Sequence, residues 1–190
     1  MNHVIRAVRP DEWAKVKEIR LAALKDPAAP VAFLETYEQG LAHPDAFWQR
    51  RAADASSQNS ARSRQFVAEA PDGSWSGSVA MLVEEAGGSD FFGSTITQPQ
   101  GHLVGVYVRP EQRGSGLLGA LVAEALDWAW ARQEPRLSRV RLYVHEQNPR
   151  ARAAYRKLGF VPTGTVLPFE LDPLAKELEM AIERPSPAGS

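Results

Sequence analysis

The chain has 190 residues, of which 44% are hydrophobic and 24% charged, and its formal net charge is −1. This composition is typical of a soluble globular domain, and the small charge gives no electrostatic basis for binding nucleic acid. The lack of cysteine excludes disulfides, thiolate metal ligands and cysteine nucleophiles. Because no apolar run reaches the roughly 20 residues of a membrane helix and residues 1–6 lack a signal-peptide pattern, we expect a cytoplasmic protein without a membrane partner.

The first half of the chain alternates between strand and helix patterns, separated by segments rich in Pro, Gly and Ser. The turn Pro71-Asp72-Gly73 is typical of a hairpin. The predicted elements are a strand at 3–9, a helix that begins at 10 and ends before 26, an irregular segment at 26–43, a helix at about 45–54, an exposed loop at 55–64, strands at 65–70 and 74–85, and a flexible loop at 86–100.

The second half carries two helices between strands. Gly105 inside the first of these strands indicates a β-bulge or a close backbone approach. Asn148, Pro149 and Gly159 are typical of the N-cap, first turn and C-cap of a short helix. The predicted elements are a strand at 102–108, a helix at about 116–131, a strand at 138–145, a helix at 149–158, and strands at 160–167 and 177–183. Together the elements predict one mixed α/β domain over 1–185 and a loose tail at 186–190.

The segment between Val108 and the helix that follows is the most informative part of the sequence. Gly114 and Gly116 allow the backbone to curl, so that several N–H groups at the helix N-terminus converge on one anion. The helix dipole favours negative charge at the same place, and Arg113 would add a positive charge. This pattern predicts a pyrophosphate site.

The glycine pattern also has three other interpretations: a turn without a ligand, a P-loop and a dinucleotide-binding loop. A turn without a ligand stays open on the pattern alone. A P-loop is excluded because no Gly-Lys-Ser/Thr follows. Gly114-x-Gly116-x-x-Gly119 also matches the dinucleotide-binding fingerprint, but residues 109–113 separate it from the strand. The acidic residue expected about 20 positions later, at the end of the next strand, is missing.

Two segments together resemble the GNAT superfamily of acyl-CoA-dependent N-acetyltransferases. Val106–Leu117 is similar to its central motif, a strand and a Pro-containing link followed by Arg/Gln-x-x-Gly-x-Gly/Ala. Asn148–Phe160 is similar to its Asn-x-x-Ala-x-x-x-Tyr-x-x-x-Gly-Phe segment. One departure is Leu118, where the family usually has a small residue. The resemblance implies a central mixed, mostly antiparallel sheet of six to seven strands flanked by about four helices.

The resemblance also implies acetyl-CoA as co-substrate, direct attack by an amine in a ternary complex, and no metal. It assigns the pantetheine arm to the backbone edge of Val106–Val108, which includes Tyr107. Asn148 is a further candidate for the pantetheine, and Arg152 for the cofactor phosphates. The residues implied to hold the pyrophosphate through their amides are Arg113, Gly114, Ser115, Gly116, Leu117, Leu118 and Gly119.

Candidate catalytic residues follow from the same comparison. Tyr155, at the tyrosine position of the second motif, is the candidate general acid for the leaving thiolate, although helical spacing alone equally suits a packing residue. His102 is a candidate general base, and by alternation it shares a face with Val104, Val106 and Val108. Glu84 and Glu85 are alternatives, with one of the pair facing inward, and no base is needed for an amine of low pKa.

We expect acceptor recognition in segments 26–48 and 86–100, where carboxylates and aromatic residues would suit a cationic amine, although ordinary loop residues explain them equally well. The expected activity is acetylation of a primary amine on a small molecule. Alternatives are acetylation of a protein N-terminus or lysine, a non-catalytic acyl-CoA-binding module, and a nicotinamide-dependent enzyme. The resemblance leaves a homodimer open.

Overall fold

A computed structural model describes residues 2–56 and 62–187 of the chain. Seven strands form one sheet in the order β1-β2-β3-β4-β5-β7-β6, and all neighbours are antiparallel except β4 and β5. The strands are β1 Val4–Ala7, β2 Ser63–Glu69, β3 Trp75–Glu84, β4 Gln100–Val108, β5 Arg139–His145, β6 Val161–Phe169 and β7 Asp172–Glu183. The helices are α1 Trp13–Leu24, α2 Tyr37–Ala42, α3 Asp45–Ser56, α4 Leu117–Ala131 and α5 Pro149–Lys157.

This architecture confirms the predicted mixed α/β fold with a mostly antiparallel sheet. The additional helix, α2, lies inside the segment predicted to be irregular. Thr36 caps it: the Thr36 hydroxyl accepts a hydrogen bond from the Gln39 amide, and the Gln39 side chain accepts one from the Thr36 amide. This capping box is readable in the sequence and was missed. Parts of the predicted loop at 55–64 and of the tail at 186–190 fall outside the described residues.

Helices cover both faces of the sheet. On one face α4 and α5 pack on β3, β4 and β5 around Leu121, Leu142 and Phe160, which are fully buried. On the other face α1 and α3 pack on β2 and β3 around Val16 and Trp48. Burial of each such side chain contributes about 1.5–3 kcal/mol to folding. Within the described parts of the chain, no helix is long and apolar enough to cross a membrane.

A bulge in β4 confirms the interpretation of Gly105, whose φ is +61°. The pairing with β3 moves from Ser78–Tyr107 to Ala80–Val104, so β4 holds one extra residue there. The bulge reverses the alternation of the strand. Val106 and Val108 pack on the α4 side, whereas His102 lies on the opposite face. The prediction that His102 shares a face with both valines was therefore wrong.

The parallel strands β4 and β5 pair at one end and then separate. Their register covers Gly101 with Val140 and His102 with Arg141, and no further pair follows along the two described strands. At the junction a Cβ on Gly101 would lie 2.8 Å from Val140 Cγ2, so only glycine allows this close approach. Beyond it, the described backbone edges of β4 and β5 are not paired with each other, and we call the gap between these two edges the cleft.

Candidate functional site

The glycine loop joins the open end of β4 to the first turn of α4. Gly114 and Gly116 have φ values of +80° and +90°, and Gly116 is the N-cap of α4. A Cβ at either position would meet no atom within 4 Å, so these glycines are required by conformation and not by space. Among the hydrogen bonds of the described residues, none is donated by the amides of Gly114, Gly116, Leu117, Leu118 and Gly119. The loop therefore presents five free donors at the positive end of a helix dipole.

The other two predicted amides are used inside the loop. The Arg113 amide donates to the Pro110 carbonyl at 3.2 Å, and the Ser115 amide donates to the Gln112 carbonyl at 3.4 Å. The Arg113 guanidinium donates to the Val108 carbonyl at 3.0 Å and forms an ion pair with Asp26. Arg113 thus braces the end of β4 against the segment after α1, and Asp26 compensates its charge.

Tyr155 lies on α5 in the same buried cluster as Val108, Leu117 and Val144, which flank the cleft. Its ring packs edge-on against Phe160 with centroids 6.1 Å apart. Its hydroxyl has no hydrogen-bond partner among the described residues, and burial raises the pKa of the phenol above its ordinary value. The hydroxyl is therefore protonated at neutral pH and free to donate.

Asn148 and Arg152, the other two candidate cofactor residues of the second motif, differ in their hydrogen bonds. The Asn148 side chain accepts a hydrogen bond from the Ala151 amide at 3.2 Å, which confirms its N-cap role. Arg152 is half-buried, and its Nε atom has no partner in the described parts of the chain. The Nε atom of Arg152 and the side-chain amide nitrogen of Asn148 therefore both have unused donor capacity among the described residues.

A buried charge cluster lies on the other face of β5, centred on Arg141. Its guanidinium donates to both carboxylate oxygens of Glu84 at 2.9 and 2.7 Å, to Asp90 at 2.9 Å and to Glu179 at 3.1 Å. Asp90 belongs to the segment predicted to be a flexible loop. Its ion pair with Arg141 and the contact of Phe92 with the Tyr143 ring hold this segment against β5.

His102 lies beside this cluster and is 7% exposed. Its Nδ1 atom is 3.7 Å from a Glu84 oxygen, and its ring is 5.7 Å from the Tyr143 ring. Burial lowers the pKa of His102 to about 4, against the opposing effect of the Glu84 carboxylate. The contact with Glu84 is therefore one between a neutral ring and a carboxylate at pH 7. A group with so low a pKa is a poor general base near neutrality.

The two glutamates at the end of β3 point in different directions. Glu84 faces inward and is 9% exposed, whereas Glu85 is exposed just beyond the strand. The structure thus brings Glu84 to His102 and leaves Glu85, the predicted alternative base, at the surface. Both carboxylate oxygens of Glu84 are already bound by Arg141.

A pocket lies between the sheet and the helices α1 and α3, on the same face as His102. The empty space within its outline is about 350 Å³, a figure that includes open solvent. Gly105 and Tyr107 of the β4 bulge form one wall, so the pocket reaches the strand segment that borders the cleft. Its lining residues are Val16, Ile19, Arg20, Ala23, Arg51, Gln65, Ser78, Ala80, Gly105 and Tyr107.

A family comparison now decides between the interpretations of the glycine loop. The model of the acetyltransferase (GNAT) family matches residues 23–160, which is most of the chain. The chain belongs to the GNAT acetyltransferase family. This membership confirms the resemblance stated from the two motifs, and it removes the dinucleotide interpretation of the loop. GNAT acetyltransferases use acetyl-CoA as their co-substrate.

Solved GNAT structures share the fold over almost the whole chain. A chimaeric spermidine N-acetyltransferase built on the Vibrio cholerae enzyme has a TM-score of 0.66 at 20% identity, covering 97% of this chain and 96% of that one. A GNAT acetyltransferase from Streptococcus pneumoniae has a TM-score of 0.64 at 21% identity, covering 96% of this chain and 99% of that one. Arabidopsis thaliana NAA60, solved with a bisubstrate analogue, has a TM-score of 0.68 at 16% identity, covering 96% of this chain and 98% of that one. Comparison with curated proteins gave no significant match.

The acceptor side of this GNAT domain differs from the sequence-based expectation. The carboxylates of segments 26–48 and 86–100 were expected to attract a cationic amine, but the buried ones are already paired. Glu35 is bound by Arg20 and lies 2.8 Å from His43, and Asp90 is bound by Arg141. These carboxylates therefore stabilise the fold and are not available as a cation site.

Two residues of this GNAT domain were missed at the sequence level. Arg141 centres the charge cluster, and the polar alternation of Arg139, Arg141 and Tyr143 along β5 was a readable signal of a polar face. Arg51 lines the pocket, but it follows Arg50 on α3 with nothing local to distinguish the two. Only the packing of α3 on the sheet separates the inward arginine from the exposed one.

Proposed function

We propose that this protein transfers the acetyl group of acetyl-CoA to a primary amine of a small molecule by direct attack in a ternary complex. The observation that carries the proposal is the row of five free amides at the start of α4. It lies directly beside the end of β4, where that strand has separated from β5. A pyrophosphate suits the amides, and an amide-bearing arm suits an unpaired strand edge.

The cofactor is expected to lie along the cleft in an order set by these groups. Gly114 and Gly116–Gly119 would bind the pyrophosphate through their amides. The β4 edge at Val106–Val108 would pair with the pantetheine arm like an added strand. Arg152, whose buried Nε atom has no partner among the described residues, would bind a phosphate oxygen through its guanidinium. This order would place the thioester near the Gly105 bulge, where β4 and β5 begin to separate.

The acceptor is expected to enter through the pocket beneath α1 and α3. Gly105 and Tyr107 line this pocket and are also next to the proposed cofactor edge. The pocket is bounded by two helices, and the segment 86–99 is held on β5 by the Asp90–Arg141 ion pair. A bounded pocket favours a small molecule over a protein segment, which would need an open groove.

In the proposed reaction, one side chain, Tyr155, has a chemical role. The amine nitrogen attacks the thioester carbonyl, whose developing negative charge a backbone N–H of the β4 bulge would stabilise. The carbon–sulfur bond then breaks, and Tyr155 donates its proton to the leaving thiolate. His102 is too weak a base, and Glu84 is bound by Arg141. We therefore propose that the amine gives its proton to water.

Thiol release from acetyl-CoA across a panel of primary amines tests the proposal. We expect release that depends on the amine, with the acetylated amine detected by mass spectrometry, and a rise in melting temperature with CoA but not with NADH. A rise with CoA and no turnover with any amine would support a non-catalytic acyl-CoA-binding module. Turnover with peptides alone would support the protein-directed alternative.

A further inference from the structure

Arg51 is a half-buried cation without a partner in the acceptor pocket. Its contact with the fold is the Trp48 ring, whose centroid lies 5.8 Å from the guanidinium carbon. Within residues 2–56 and 62–187 its guanidinium has no hydrogen bond or ion pair. Arg20, on α1 in the same pocket wall, is bound by Glu35 at 2.9 Å and stacks on Phe33. The pocket therefore has one compensated arginine and one uncompensated arginine.

The rest of the pocket wall also presents donors. Ser78 accepts a hydrogen bond from the Gln65 side chain at 2.8 Å, which leaves its own hydroxyl proton available. The Tyr107 hydroxyl has no partner among the described residues, and burial raises its pKa, so it remains a donor. No carboxylate forms part of the described wall of this pocket. The pocket wall thus carries a guanidinium and two hydroxyl donors, and the nearby carboxylate of Glu35 is already paired with Arg20.

An unpaired guanidinium in such a place is unfavourable in the free protein. Burial, together with the nearby charge of Arg20, lowers the pKa of Arg51 from its ordinary value against the opposing effect of the Glu35 carboxylate, yet a guanidinium stays protonated at neutral pH. A carboxylate would supply two parallel charge-assisted hydrogen bonds that match the planar fork of this side chain. A polyamine would meet a pocket of its own sign of charge.

We infer that the acceptor of this enzyme is an amino compound that also carries a carboxylate, and that Arg51 binds this carboxylate through its guanidinium. The inference rests on the proposed acetyltransferase function and names the substrate class of the same site. It also separates this protein from the spermidine N-acetyltransferase that shares its fold, because spermidine is a polycation.

Matched pairs of acceptors test the inference. Each α-amino acid, and each ω-amino acid from β-alanine to 6-aminohexanoate, is compared with its own carboxamide and with spermidine in the thiol-release assay. For the carboxylate members that are acetylated, we expect kcat/KM about 10- to 100-fold above that of the amide, the range for hydrogen bonds to a charged group. Arg51→Gln should remove this preference by raising KM, with little change in kcat or in acetyl-CoA affinity.

The neighbouring exposed arginine gives the matched control. Arg50→Gln changes the same charge on the same helix outside the pocket, and it should retain the full preference. Arg51→Lys keeps the positive charge but lacks the planar fork, so it should retain only part of the preference for the carboxylate acceptor. Melting curves establish that each variant is folded. An equal or higher rate with carboxamides or spermidine, or a preference that survives Arg51→Gln, would overturn the inference.

A failure of the proposed function is distinguishable from a failure of the inference. If acetyl-CoA binds but no amine is acetylated, the proposed function fails and the inference is judged by binding alone. N-acetylated amino acids with CoA should then raise the melting temperature of the wild-type protein and not that of Arg51→Gln. The lack of such a rise for every N-acetylated amino acid would overturn the inference as well.

Discussion

The proposed cofactor side of this molecule is formed mainly by the backbone, whereas the proposed acceptor side is formed mainly by side chains. The cofactor side consists of main chain: free amides at the start of α4, two glycines with positive φ, and the unpaired edge of β4. The acceptor side consists of side chains from α1, α3, β2, β3 and β4, together with the ion pairs of Arg141. A main-chain site tolerates changes of side chain as long as the backbone path is kept, whereas the acceptor side changes its chemistry with single residues.

Removal of the central cation of the acceptor side gives the largest expected effect. Arg141→Met leaves Glu84 and Asp90 buried without their cation, so we expect the free energy of unfolding at pH 7 to fall by about 3–5 kcal/mol. Urea titration measures this loss. Arg50→Met, at an exposed position, should stay within about 0.5 kcal/mol of the wild type. A loss below about 1 kcal/mol for Arg141→Met would show that the cluster is solvated and not structural.

The second prediction concerns Tyr155, the proposed general acid. Tyr155→Phe removes the unpartnered hydroxyl and keeps the ring that packs on Phe160. We expect kcat to fall at least about 100-fold, while the Kd for acetyl-CoA stays within about threefold. Steady-state kinetics and calorimetric titration measure the two quantities, and Tyr37→Phe on α2 is the control. Unchanged turnover would remove the general-acid role and leave Tyr155 as a packing residue.

The neutral state of His102 predicts a pH dependence of stability. Its folded pKa of about 4 lies below the ordinary value of 6.5, so the unfolded chain binds the extra proton first as pH falls. Stability is therefore lost as pH falls from 6.5 toward 4, by on the order of 3 kcal/mol. The charged groups that face this ring are Glu84, Arg141, Asp90 and Glu179.

Unfolding titrations of wild type and His102→Gln at several pH values measure this contribution. The variant should lose less stability than the wild type over this pH range, since it lacks the titrating ring. Parallel pH dependence of the two proteins would contradict a buried neutral histidine. The same variant should keep the wild-type pH profile of turnover, and a shift of that profile to higher pH would restore His102 as the general base.

The smallest predicted effect tests the main-chain nature of the cofactor side. Gly116→Ala forces an L-residue toward φ +90°, and the loop is expected to relax in a way that misplaces the free amides. We expect the Kd for acetyl-CoA to rise about tenfold. Gly87→Ala is the matched control, because Gly87 has φ +82° with nothing near its Cβ position and lies outside the cleft. Equal effects of the two changes on Kd would mean that only general strain is being measured.

Local features explain how much of this structure the sequence could predict. The Asn148 cap, the Gly105 bulge and the glycine loop each depend on a few consecutive residues, and all three were recognised. The consequence of the bulge for the facing of Val108 was missed, because alternation was continued through it. The capping box at Thr36 and Gln39 was available in the sequence and would have located α2.

Long-range pairing set the limit of prediction. The partner that compensates the charge of Arg113, Asp26, lies 87 positions away in the sequence. Whether Glu84 or Glu85 faces inward depends on the register in which β3 pairs with β4. The lack of a partner for Arg51 is likewise a property of the packed fold. Charge compensation therefore had to come from the structure, although the anion site could be predicted from the motif.

Backbone amide NMR of this 20.9 kDa protein, titrated with acetyl-CoA, tests the central claim most directly. The free amides at the start of α4 and the unpaired edge of β4 are predicted to be the places where the main chain holds the cofactor. The largest shift changes should therefore occur at Gly114, at Gly116–Gly119 and along 104–108, and NADH should leave these resonances in place. Changes confined to other parts of the chain, or equal changes with NADH, would contradict the account.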